Sequence, residues 1–159
     1  MLKKFLSFIF IITFLVACND DEIKIKSAEW ETYLNSKYGF SVNYPPDWHI
    51  GEESDNEDGI NLYVGNPDVR ILTYAAHYME EISDPYESAK NYGFDIQRIT
   101  LDNGKSADLI LGNLDEKVHY ELVFIDNDVI YNINAEVSKS FFEKNEDILL
   151  KVIKSLDTL

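Results

Sequence analysis

Cysteine is nearly missing from this chain: Cys18 is the single one in 159 residues, so no intramolecular disulfide can form. Basic residues are scarce, 14 Lys and Arg against 29 Asp and Glu, for a formal net charge of −15. A field of that sign repels phosphate backbones and anionic head groups, which argues against nucleic acid as a partner and against a peripheral membrane-binding face. The uncharged apolar run from Phe5 to Ala17 is shorter than the roughly 20 residues a permanent membrane-spanning helix needs. Signatures of catalysis and of phosphate binding are absent as well: no G-x-S-x-G elbow, no H-E-x-x-H, no G-x-x-x-x-G-K-[ST] and no G-x-G-x-x-G.

What is present begins with an address. Lys3 and Lys4 precede the apolar run, which ends at Leu15-Val16-Ala17-Cys18, giving the positive region, apolar region and small-residue cleavage site of a secretory signal. A lone exposed thiol on an exported protein is a liability, so Cys18 needs a purpose. The four residues resemble the lipobox of bacterial lipoproteins. That resemblance implies cleavage between Ala17 and Cys18 and a diacylglyceryl group on the Cys18 thiol. Two acyl chains hold firmly to a bilayer where one holds only marginally. Residues 1–17 are then a lipoprotein signal peptide, and the polar residues 18–28 a tether reaching at most about 35 Å from the membrane.

Loss of the signal would remove two lysines and no acid, leaving residues 18–159 still more anionic. Solubility explains such an excess more simply than recognition of a cation. The remaining length suits one domain, expected over residues 29–159, with no need of a disulfide staple.

Period-two alternation dominates that domain. Phe40, Val42 and Tyr44 alternate with Ser41 and Asn43 and are stopped by Pro45-Pro46, so they read as the first strand, with Trp48 and His49 in the turn that follows. Ile60, Leu62 and Val64 form a hairpin with Val69 to Tyr78. Asn103-Gly104 marks a second hairpin, and Asp126-Asn127-Asp128 a third between runs beginning at Val118 and Val129. A short helix is expected from Asp84 as N-cap, with Pro85 first and Gly93 as terminator. A longer one is expected from a capping box at Ser140 and Glu143, with Phe141, Asn145, Ile148, Leu149, Val152, Ile153 and Leu156 along one side. The fold class is α+β: an antiparallel sheet of about seven strands covered by two helices.

The stretch Tyr38-Gly39-Phe40-Ser41-Val42-Asn43-Tyr44-Pro45-Pro46-Asp47-Trp48 resembles the opening of PsbP-like domains. It implies an α/β/α sandwich and, by analogy with an accessory protein of a photosynthetic complex, a binding or accessory role.

Candidate sites are few. Five acids between Gly51 and Gly59 invite a calcium reading, but the EF-hand spacing fails and a solvated loop is expected. His49, His77 and His119 are far apart in sequence; a zinc site from His77, His119 and Glu121 would require them to meet across the sheet. Trp30, Tyr33, Tyr38, Phe40, Tyr44 and Trp48 could line a cleft, yet their spacing beside a strand favours core. The expectation is a non-catalytic lipoprotein, anchored extracytoplasmically through Cys18 and bound to an unidentified envelope protein, with no metal and no cofactor. A cation or small-ligand binder is the alternative, and an envelope hydrolase a third reading.

Overall fold

The computed structural model describes residues 29–79 and 84–159; the signal, Ala17, Cys18 and the tether lie outside them. Among the described residues ten strands and two helices follow one another: β1 Glu31–Asn35, β2 Phe40–Tyr44, β3 His49–Glu53, β4 Gly59–Tyr63, β5 Arg70–His77, α1 Glu87–Tyr92, β6 Asp95–Thr100, β7 Ser106–Leu114, β8 Lys117–Asp126, β9 Val129–Ser138, α2 Lys139–Lys154 and β10 Asp157–Thr158. Seven strands make one antiparallel sheet in the order β3-β4-β5-β9-β8-β7-β6, and β1-β2-β10 make a second, smaller one.

Alternation assigns the two faces of the large sheet. On one face Val118, Tyr120, Leu122 and Phe124 of β8 stand beside Tyr131, Ile133, Ala135 and Val137 of β9, all buried in the main core. Helix α2 covers this face with Phe141, Leu149, Val152 and Ile153, each worth about 1.5–3 kcal/mol of burial. The small sheet completes the lid: Phe40 of β2 meets Tyr131 edge-to-face at 5.7 Å. Ser155 fastens the two together, its Oγ accepting from the Asn43 backbone N–H at 2.9 Å. On the opposite face α1 packs Ala89 onto Ile110 of β7 and Val123 of β8. Helices on both faces give the expected α/β/α sandwich.

Several expected details shift. The Phe40–Tyr44 segment is the second strand, because Glu31–Asn35 pairs with it first. His49 opens β3 instead of lying in a turn, and the acidic stretch is divided between that strand and a turn at Ser54. The expected capping position is displaced by two residues, from Ser140 to Ser138. Ser138, in an extended conformation, accepts from Phe141 N–H, and Ser140 already lies inside α2. Asp84 does not cap α1 directly: its side chain accepts from Tyr86 N–H, forming an Asx turn ahead of a helix that starts at Glu87. Gly93 does terminate α1, at φ 69°, where its N–H returns to the Ala89 carbonyl.

Buried tyrosines give the domain an alkaline limit. Tyr44 is pushed up to about 12, by burial first and then by its hydrogen bond to Glu31 and that carboxylate's charge. Tyr120 is pushed up to about 12 by burial and by the charge of Glu146. The folded state therefore holds these protons more tightly than the unfolded chain, whose tyrosines titrate near 10. Their contribution to stability is complete below about pH 10 and is lost as pH rises through about 12. Urea denaturation between pH 8 and 12 should show stability falling above pH 10, with a shallower fall in Tyr44→Phe; identical slopes would refute it.

Candidate functional site

The second face of the large sheet carries polar groups that a sheet covered on both sides would normally exclude. Register places them side by side. The two-residue turn at Asn127 and Asp128, both with positive φ, sets Asp126 opposite Val129. That alignment puts Glu121 opposite Asn134 and His119 opposite Glu136, while β5 sets Tyr74 opposite Asn132.

At the centre, Glu121 accepts on both carboxylate oxygens. His119 Nε2 donates to one at 2.7 Å and Asn132 Nδ2 to the other at 2.5 Å. The acid and the imidazole are largely buried, with side chains 15% and 16% exposed. Asn132 is buried outright, and its Oδ1 has no partner among the described residues. Binding of the amide nitrogen by an acceptor-only carboxylate forces that orientation. Tyr74 is raised above its ordinary value by burial and by the charge of Glu121. The His119 ring stacks on Phe94 at 5.2 Å, and Phe94 in turn lies over Gly112, where a Cβ would overlap its ring. A cleft of about 280 Å³ beside the β7–β8 turn is lined by Leu114, Lys117, His119 and Glu136.

On the same sheet face, Asp108 accepts from Tyr86 Oη at 2.7 Å and is ion-paired with Arg98, Nε at 2.9 Å. Burial, followed by that hydrogen bond to a carboxylate, raises the Tyr86 hydroxyl well above its usual range. This pair pins the α1 segment to the sheet.

Among the described residues no serine, threonine or cysteine hydroxyl or thiol is hydrogen-bonded to His119. His119 and Glu121 do meet, as neighbours two apart on one strand face, but His77 stays away. It pairs with Val129, seven residues along β9 from the partner of His119, about 23 Å at strand rise. His77 instead meets the Tyr38 ring at 5.7 Å, and the proposed three-ligand zinc arrangement is not formed. Among the described residues no three His, Cys, Asp or Glu side chains gather as a metal site.

The acidic stretch is occupied with its own structure. Asp58 is ion-paired to Lys37 at 2.5 Å and bonded to Asn56, and Ser54 Oγ accepts from the Asp58 backbone N–H at 2.9 Å. The aromatic group is core: Tyr33, Phe40, Tyr44 and Trp48 are buried, and Trp30 and Tyr38 pack against them. Among the described residues no helix is long and apolar enough to cross a membrane.

Sequence reasoning named His119 and Glu121 but missed Asn132, Tyr74 and Asp108. The Asn127-Asp128 turn held the register that would have added Asn132.

No protein-family profile and no curated protein sequence matches the chain. Solved structures do. The cyanobacterial PsbP, CyanoP, of Synechocystis sp. PCC 6803 is 10% identical with a TM-score of 0.60, covering 91% of this chain and 99% of that one. The Ran-binding protein Mog1p of Saccharomyces cerevisiae is 10% identical at a TM-score of 0.54, covering 83% and 96%. A Bacteroides thetaiotaomicron VPI-5482 protein is 15% identical at 0.54, covering 83% of this chain and 49% of that one. At such identities the likeness is one of fold: a seven-stranded antiparallel sheet with two helices, PsbP-like in architecture.

Proposed function

We propose that this protein is a bacterial lipoprotein, anchored extracytoplasmically through a diacylated Cys18, whose PsbP-like domain is a non-catalytic binding module for another protein of the cell envelope. The observation that carries the reading is the sequence Leu15-Val16-Ala17-Cys18 behind a basic and apolar leader, in a chain whose acidic surface would not hold it to a bilayer. The Glu121 carboxylate, engaged on both oxygens by His119 and Asn132, and the absence among the described residues of a serine, threonine or cysteine side chain hydrogen-bonded to His119 support binding over catalysis. The pairing of Asp58 with Lys37 counts against a cation-binding loop.

Mass spectrometry of the protein from native membranes should find an N-terminal peptide that starts at Cys18 and carries acyl groups. Cys18→Ser should abolish the acylated peptide and cleavage before position 18. An unmodified thiol in the wild-type protein would end the proposal.

A further inference from the structure

The two outer edges of the large sheet are built differently. At one end β3 is interrupted, its pairing with β4 shifting between Ile50 and Glu53, and such irregularity blunts an edge against further strands. At the other end β6 pairs with β7 without a break from Asp95 opposite Leu111 to Thr100 opposite Ser106. It contains neither proline nor lysine, its residues are exposed except for the half-buried Ile99, and among the described residues no strand occupies its free side. Every second residue of such an edge turns its N–H and C=O outward, unpaired.

The side chains around this edge sort by face. On the α1 side stand Ile96, 44% exposed, and Phe94, with Tyr92 stacked on it at 5.5 Å and 61% exposed; Leu114 of β7 adds to the apolar group. On the other side stand Asp95, Gln97 and Ile99, the last packed against the main core, and Asp102 follows in the adjoining turn. Arg98, on the α1 side with Ile96, is held by Asp108, whereas Asp95 and Asp102 have no ion pair among the described residues. At its Asp95 end the edge is therefore apolar on the α1 face, through Phe94 and Ile96, and anionic on the other, through Asp95.

We infer that β6 is a docking edge for an extended segment of a partner protein in which apolar and basic residues alternate, added to the sheet as an eighth strand. Backbone hydrogen bonds supply the affinity in such strand addition, and alternate side chains the specificity. Apolar residues of the added strand fall beside Phe94 and Ile96, and basic ones beside Asp95. This rests on the binding-module reading and names the partner's chemistry.

The test uses the full chain in detergent and two hexapeptides, Lys-Val-Lys-Val-Lys-Val and its glutamate counterpart, followed by fluorescence anisotropy and amide hydrogen exchange. The lysine peptide should bind and slow exchange at alternate β6 amides, and the glutamate peptide should bind at least about tenfold more weakly. Ile50 and Ile96 are matched in exposure, 45% and 44%, on opposite edges. Ile96→Lys should weaken binding about tenfold or more, while Ile50→Lys leaves it unchanged. No binding, binding without β6 protection, or equal loss in both variants would overturn the inference. So would β6 protection that rises with protein concentration in the absence of peptide, since the occupant would then be a second copy. The state of Cys18 is read separately, so failure here leaves the anchoring proposal standing.

Discussion

Phe40→Ala should remove about 3–5 kcal/mol of folding stability, the usual cost of deleting a fully enclosed aromatic ring. The ring has no exposed surface and lies edge-to-face with Tyr33 at 5.9 Å and with Tyr131 at 5.7 Å. It is where the small sheet grips the large one, so neither sheet can close the void alone. Domains of this kind have about 5–15 kcal/mol in total, so the loss is roughly a fifth of it or more. Urea denaturation should show a lower midpoint with an unchanged slope, and Leu34→Ala on neighbouring β1, 57% exposed, should move within about 0.5 kcal/mol. A loss under about 1 kcal/mol for Phe40→Ala would mean that the two sheets do not depend on this contact.

Gly59→Ala should cost about 3 kcal/mol, the upper end of the range for overpacking. A Cβ at that position would overlap the Thr73 carbonyl oxygen and come within 2.6 Å of Tyr74 Cα, both backbone atoms of the paired strand. No rotamer change relieves that, so β4 and β5 must part. Gly112→Ala is the instructive comparison, because there the obstacle is the Phe94 ring. Phe94→Leu should restore much of the stability lost in Gly112→Ala, whereas Tyr74→Leu should restore none of that lost in Gly59→Ala. Thermal unfolding of the four single and two double variants decides it. Rescue at position 59 would show that the ring, not the chain, was the barrier.

Elements with a clear hydrophobic period or a strong turn or cap signal were legible, the short β2, β4 and α1 among them, and those without one were not. The stripe on α2 and the alternation on β8 and β9 hold over enough residues that their period survives a few polar positions. β1 buries only Tyr33 and Asn35, and an asparagine in the core carries no hydrophobic signal. β3 reads His-Ile-Gly-Glu-Glu, and acids at a sheet edge look the same as acids in a loop. β10 has two residues, which no periodicity can reveal. The α2 cap went to Ser138 over Ser140 because β9 runs directly into the helix, and the last extended residue takes the capping position.

The candidate site was half legible for a similar reason. His119 and Glu121 share a face by strand period alone, and that much follows from the sequence. Asn132 reaches Glu121 only through the register of two strands, and His77 is kept apart by the same register.

The sequence by itself determined the charge and the class of fold, since a count of ionisable groups and a hydrophobic period are both local properties of the chain. The tertiary structure decided which polar groups meet at Glu121 and which strands form the edges of the sheet among the described residues. Those are long-range matters of strand order and register, set by turn geometry and by the packing of two sheets and two helices rather than by any short run of residues.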